Sequence, residues 1–385
     1  MSTTPGLSPA PAPTTAASLR HVLSHLVMPL LMCVGMGLAY LGAFHNPEPH
    51  QLKVAIVGSG PSAQVLAQSL EDKAGGDALD VRTVGSRGEA AGRLKDQAVF
   101  GAYVPGGERA DGERPGRAEQ SGRPELLVAS AGSETSATAV EKVFTEVAAS
   151  RGAPLKVTDV AGTASGDPTG QGLFFLLVAI SIGSYASVAV LGAAGGALAL
   201  WIRALLGLGT GLVVSLIGAV FAGPLFHLVD HDLAGVWAMA WLYSTGILWI
   251  GVALHTFLKR WTTLGVMVLF VMLNFTSSGG IFRPELQPGF FGALHAFWNG
   301  AGFVEGARSL VYFDGNGLGR YLLTLTLWAL AGLVLLAAAW AAETRRRRTA
   351  EARAAELRAA AVLAASRVTA RGVAAEEEME EAVAV

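Results

Sequence analysis

The sequence predicts an α-helical polytopic membrane protein of six transmembrane helices, with a small α/β extracytoplasmic domain inserted between the first and second spans. Three observations predict it. Hydrophobic residues make up 52% of the 385 and charged residues only 15%, against about 25% charged in an ordinary soluble domain. The missing charge is missing from long apolar runs, and a spanning helix needs roughly 20 such residues. One polar stretch, residues 45–170, interrupts those runs and alternates strand-like with helix-like patterns. The formal net charge of −2 decides little beside where the charges sit. The one cysteine, Cys33, lies in an apolar segment, so an intrachain disulfide and a redox pair are excluded.

Residues 1–20 form a Pro/Thr/Ala-rich tail with nothing to bury, expected to be disordered and cytosolic. Residues 21–44 are the first span: uncharged from His25 to Phe44, long for a signal h-region, and followed by no A-x-A site. In the 45–170 domain, strand-like runs at Lys53–Val57, Val81–Val84, Val99–Val104, Leu126–Ala129 and Leu155–Val160 alternate with helical spacing. The helical stretches are Ser62–Leu70, Glu89–Lys95 and Thr138–Ala149. That alternation predicts a largely parallel sheet. Gly106–Gly122 reads as a mobile loop, and Gly162–Gly170 as a hinge back to the membrane.

Residues 171–342 hold five further spans. Gln171–Ile202 and Ala204–Val229 are uncharged on either side of Arg203, which marks a tight turn. Leu233–Leu258 closes at Lys259-Arg260. Trp261–Phe275 begins the fifth span, and Tyr321–Ala342 is the sixth, stopping at Arg345–Arg348. The 343–385 tail is Ala/Arg/Glu-rich and expected to be helical in part. With both termini in the cytosol, Arg20, Arg203, Lys259-Arg260 and Arg345–Arg348 all fall on the cytosolic side. The 45–170 domain, Asp230 and Asp232, and the loop from Arg283 to Arg320 fall outside; there the charges of Arg283, Arg308 and Arg320 are balanced by those of Glu285, Glu305 and Asp314. These assignments predict a multi-pass protein of the cell membrane.

The fifth span is the irregular one. Ser277-Ser278-Gly279-Gly280 interrupts it, Pro284 and Pro288 follow, and Phe290, Phe291, Phe297 and Trp298 cluster ahead of a short helical pattern. Apolar pieces about half a span in length, cut by Gly, Pro and charge, read as a re-entrant segment, 276–313. Glu305 and Arg308 stand three apart, hence on one helix face as an ion pair. Two readings stay open: ionisable groups at membrane depth, which are functional candidates, or an ordinary surface contact. The candidate substrate path is Asn274, Ser277, Ser278, Gly279, Gly280, Pro284, Pro288, Glu305 and Arg308.

Other motifs read structurally. Gly58-Ser59-Gly60-Pro61-Ser62-Ala63 fits the dinucleotide fingerprint G-x-G-x-x-A. However, the acidic residue expected after the second strand is absent, and Pro61 removes an N–H near the phosphate position. A strand-to-helix turn of Gly and capping Ser accounts for the segment. His227, Asp230, His231 and Asp232 are metal-competent residue types without a second cluster at ligand spacing, as expected of a polar patch at a membrane exit. No Walker A loop, HExxH helix or Ser-His-Asp order occurs. Neither an enzyme, a cofactor nor a nucleic-acid partner is indicated.

The segment Asn274-Phe275-Thr276-Ser277-Ser278-Gly279-Gly280-Ile281-Phe282-Arg283-Pro284-Glu285-Leu286-Gln287-Pro288-Gly289-Phe290-Phe291 resembles the S-G-G-x-x-x-P-x-x-x-x-P stretch of ABC-2 type transporter permeases, especially their YhgE/Pip-like branch. In that family a fifth span is followed by short re-entrant helices, an Arg precedes a Tyr, and a sixth span closes the unit; Arg308 and Tyr312 sit correspondingly. The resemblance implies a permease subunit that exports a hydrophobic or amphipathic substrate, working as a homodimer or heterodimer with a separate ABC ATPase. Family members couple to that ATPase through a cytosolic helix between the second and third spans, where this chain has only Leu200–Ala204. That departure motivates the alternative expectation, a non-transporting envelope protein that binds a partner through residues 45–170.

Overall fold

A computed structural model of the chain describes residues 15–75, 77–106 and 123–383. The predicted tail up to residue 14 and the loop residues 107–122 lie outside the described residues. Helix α1 runs Thr15–Phe44, so Thr15–Arg20 is helical and not part of a disordered tail. Ala16-Ala17, at the top of the helix-propensity scale, extends the apolar helix backwards.

The polar insert folds as β1 (Leu52–Val57), α2 (Pro61–Ala74), β2 (Leu79–Val84), α3 (Arg87–Lys95), β3 (Gly101–Val104), β4 (Glu125–Val128), α4 (Glu134–Ser150) and β5 (Lys156–Asp159). Strand order is β2-β1-β3-β4-β5. All pairs are parallel except β3–β4, which is antiparallel with Ala102 opposite Leu127. A parallel neighbour needs a crossover, usually a helix. None is found in the described part of the link between β3 and β4, and the two strands lie side by side reversed. Alternation sorts the side chains: Leu52, Val54 and Ile56 pack under α2 and α4, while Ala55 and Val57 face α3. The α3 side of the core is completed by Phe313, far along the chain in the helical block. Ser86 caps α3 by accepting from the Glu89 amide, and Ser133 caps α4 by accepting from Ser136. At Gly58–Ala63 the turn is closed differently from the Ser-capped expectation. Gly60 is the cap residue with no side-chain bond, and Pro61 supplies the fixed φ of the first helical position. On β4, the Arg87 guanidinium forks onto Glu125 at 2.9 and 3.1 Å and is the main cause that holds its carboxyl down at about 2.

The hinge returns the chain to α5 (Gly172–Ala193). Asp167 is buried and accepts from the amides of Gln171 and Gly172 at 3.0 and 2.8 Å, satisfying donors that a helix start leaves open. Helix α6 (Leu200–Val220) follows a turn at Ala194–Ala199, so Arg203 is not the turn itself. It lies in the first turn of α6, buried. Helix α7 (Leu233–Leu258) then ends at Lys259, whose φ of 49° and ψ of −115° belong to a turn position that glycine favours. A non-glycine residue there costs about 1–3 kcal/mol. After that turn, α8 (Thr262–Met267), a π-helical stretch at Val268–Met272 and α9 (Leu273–Ser277) run back alongside α7. The Asn274 amide nitrogen reaches the Tyr243 hydroxyl at 2.6 Å across the two arms.

Among the described residues, five helices are long and apolar enough to cross a membrane; one of them is the 45-residue run Leu233–Ser277 that this turn folds back on itself. The protein is therefore a multi-pass helical membrane protein with a small mixed sheet. Beyond α9 the chain makes one turn at Pro284–Leu286, then α10 (Gly289–His295) and α11 (Asn299–Tyr312). The last helix, α12 (Leu318–Val383), is continuous for 66 residues. The tail expected to be helical in part is thus helical as far as Val383.

Candidate functional site

The broken segment gathers where the α/β domain meets the helical block. Ser277 ends α9, and the chain turns through Ser278–Gly280. Gly279 has φ +74°, and a Cβ there would lie 2.6 Å from His295 Cε1 and 2.8 Å from Glu305 Oε1, so only glycine fits. At Gly280 a Cβ would meet the Phe174 ring, with its Cγ at 2.7 Å. The orphan polar groups of the break are bonded locally. The Ser277 hydroxyl donates to Leu273 O at 2.6 Å, and that of Ser278 to Phe275 O at 3.0 Å. Gln287 donates to Thr276 O at 2.7 Å, and His295 Nδ1 sits 2.9 Å from Ser277 O. A carbonyl only accepts, so the His295 proton is on Nδ1. Pro284 opens the single turn, and Pro288 precedes α10 as its cap residue.

Glu305 lies at the centre, with none of its surface exposed. One carboxylate oxygen takes Arg308 Nη1 at 2.5 Å, three residues along the same helix. The other takes Arg283 Nη1 in a short, charge-assisted bond. Arg308 also donates to Gly279 O at 3.3 Å, and Arg283 to Gln97 Oε1 at 3.2 Å. Arg283 lies 5.4 Å from the centroid of the Phe100 ring. The expected Glu305–Arg308 pair is present and buried. Arg283, which the sequence left without an assigned partner, joins the same carboxylate. The turn at Gly279 swings Arg283 over α11. Two cations share the Glu305 carboxylate, and Glu285, whose Oε2 is buried without a hydrogen bond among the described residues, supplies a second negative charge close to Arg283.

Asn274, one turn before the break, anchors a second network. Its Nδ2 donates to Tyr243, and its Oδ1 accepts from the Gly300 amide at 2.6 Å. Ser181 donates to Leu177 O at 2.6 Å, so the 2.5 Å contact between Tyr243 and Ser181 has Tyr243 as donor. This chain joins α5, α7, α9 and α11. Trp298 donates to Leu269 O at 3.1 Å, inside the π-helical stretch, a type of irregularity frequent at functional sites. Beside it, Asn299 is buried with both side-chain polar atoms unpartnered among the described residues. Of the aromatic cluster, Phe291 and Trp298 are buried, whereas Phe290 and Phe297 are exposed.

Of the predicted site residues, Gly279, Glu305 and Arg308 meet at the ionic cluster; Asn274 belongs to the second network, Ser277 and Ser278 bond within their own helix, Gly280 packs on Phe174, and Pro284 and Pro288 shape the backbone. Sequence reasoning missed Gln97, Tyr243, His295, Asn299 and Gly300. It also missed a second buried ion pair at the far end of α7, where Arg203 Nη2 meets Glu343 Oε1 at 2.6 Å. Thr256 donates to the same carboxylate oxygen at 2.9 Å, and Arg346 donates to Thr256 O at 3.1 Å. Arg203, a lone cation between two apolar runs, was a legible signal, because it needs a partner near lipid; Glu343, directly ahead of Arg345–Arg348, was not.

The α/β domain is docked on this segment. His50 N donates to Glu285 O at 2.7 Å, Thr135 to Ile281 O at 3.0 Å, and Asn316 to Asp96 at 2.8 Å. Tyr312 OH accepts from Ala164 N at 3.4 Å. Among the described residues, no three His, Cys, Asp or Glu side chains gather as metal ligands, at His227–Asp232 or elsewhere. In comparison with known proteins, no family model matches the chain and no curated protein matches it.

Proposed function

We propose that this chain is the permease subunit of an ABC-2 type exporter, moving a hydrophobic or amphipathic substrate outward as a dimer coupled to a separate ATPase. The observation that carries the reading is the Glu305 cluster. It is a buried ionic knot that pins two helices too short to span, of 7 and 14 residues, onto a membrane arm that stops at Ser277. Irregular backbone at membrane depth is tolerated only where protein covers it or a cavity lines it. In this reading residues 276–313 are re-entrant, and the two arms of Leu233–Ser277 are separate crossings, giving six spans in the cell membrane. The N- and C-termini are cytoplasmic and residues 45–170 are outside. The charge distribution supports that orientation. Arg203, Lys259 and Arg345–Arg348 cluster at the end of α7 away from the domain, as the positive-inside rule requires.

One observation favours the alternative, an envelope protein that binds a partner through its α/β domain. The link Ala194–Ala199 between α5 and α6 leaves no helix for an ATPase to grip. In the exporter reading that contact falls to α12 beyond Arg348. Co-expression with a genomically adjacent ATPase tests the choice. Export and substrate-stimulated ATP hydrolysis are expected, and Gly279→Leu is expected to abolish both, because φ +74° and two close neighbours exclude a side chain there. Unchanged activity in Gly279→Leu, or none in the parent pair, removes the exporter reading. In a Cys33→Ser background, an impermeant maleimide should label Lys73→Cys in intact cells and Arg348→Cys only after permeabilisation.

A further inference from the structure

We infer that the tip of the α7–α8 hairpin is a binding site for the phosphate of an anionic lipid headgroup. A cavity of about 250 Å³ opens there between α5 and the hairpin. Lys259, Arg260, Tyr185 and Thr263 line it with polar groups, and Val188 and Val266 with apolar ones. That is the division of an amphipathic anion: a headgroup that takes charge and hydrogen bonds, and a chain that takes hydrocarbon.

Three independent observations point to a ligand of this kind. Lys259 occupies a backbone conformation, φ 49° and ψ −115°, that glycine adopts without strain. A chain that needed only a tight turn is served better by glycine, so the ammonium group is what the strain retains. Second, among the described residues neither Lys259 nor Arg260 has a carboxylate partner. Arg260 lies 5.3 Å from the Trp261 ring, and Glu343, the carboxylate at this end, is held by Arg203 and Thr256. Third, the tip sits at headgroup level. Trp261, Trp201 and Trp340 are all exposed at this end of the helices, and exposed tryptophans mark the membrane–water boundary. Basic pockets between membrane helices at that depth suit acidic headgroups. None of this depends on whether the protein exports anything.

The test is native mass spectrometry of the detergent-solubilised full chain with phosphatidylglycerol, with phosphatidylcholine, and with inorganic phosphate as competitor. Phosphatidylglycerol should bind more tightly than phosphatidylcholine. The K259G/R260Q variant should bind it about thirtyfold more weakly, as expected for losing two cations at an anionic headgroup. R347Q/R348Q removes two exposed cations outside the cavity and should bind within about twofold of the parent, a local site being less sensitive to distant charge. Displacement of the lipid by inorganic phosphate assigns the site to free phosphate, and no displacement assigns it to the lipid. Should the double variant not fold, K259G alone is read: it suits the turn, and its melting temperature should be unchanged or higher while binding falls. Equal binding of the two lipids overturns the proposal. So does parent-strength binding by K259G/R260Q, or an equal loss in R347Q/R348Q.

Discussion

Two buried ionic clusters, at opposite ends of the same helix bundle, are built on different plans. At the domain end, Glu305 is wholly buried and receives two arginines, one from its own helix and one from beyond the break. At the far end, Arg203 meets Glu343, whose side chain is 21% exposed, and Thr256 and Arg346 complete a looser ring. The first holds broken backbone in place; the second joins two unbroken helices, α6 and α12. Where the chain departs from regular helix, the polar groups it frees must be satisfied inside protein. The cluster there is correspondingly dry and dense. Where regular helices merely adjoin, a half-wet pair is enough.

Removing the centre of each cluster sharpens that contrast. Glu305→Ala leaves two buried guanidinium groups without the carboxylate they both bond to, and breaking a buried pair costs about 3–5 kcal/mol. The purified protein should show a large fall in thermal midpoint or fail to accumulate. Glu343→Ala leaves one arginine beside a partly wet boundary, and about 1–3 kcal/mol is expected for a charged group that loses its partner. If Glu343→Ala proves the more damaging in the same melting assay, the distinction between the two clusters is wrong. The smallest effect belongs to Gln97→Ala, which removes one long, part-buried hydrogen bond to Arg283 and should cost about 1.5 kcal/mol, the low end for a bond to a charged group. Hydrogen exchange at Val99–Ala102 should rise while α6 and α12 are unaffected. An equal rise in α12 would mean that the clusters are coupled through the bundle.

What the sequence made legible was local. Apolar run length located the long helices, and short strand-like runs located the five described strands to within about two residues. The i, i+3 spacing gave Glu305–Arg308. What stayed hidden depends on pairs distant in sequence: Arg283 with Gln97, Arg203 with Glu343, and Phe313 inside the core of a domain that ended well over a hundred residues earlier. No periodicity encodes such pairs, because a side chain's pattern reports which face is buried and not what lies opposite. The antiparallel β3–β4 step was nearer to reach, since the sequence reading found no helical stretch between those strands. Lys259 needed coordinates, because a backbone torsion leaves no mark when the residue that adopts it is not glycine.

The length of α12 has a mechanical consequence. At 1.5 Å per residue its 66 residues extend about 99 Å, some three times the roughly 30 Å of a bilayer's hydrocarbon. Beyond Arg348 the rod runs on through residues 350–367, nearly all of them exposed. A few degrees of tilt where it crosses, beside Glu343, are therefore magnified into a wide sweep at its tip, and a force applied at the tip returns to the bundle with the leverage of a long arm.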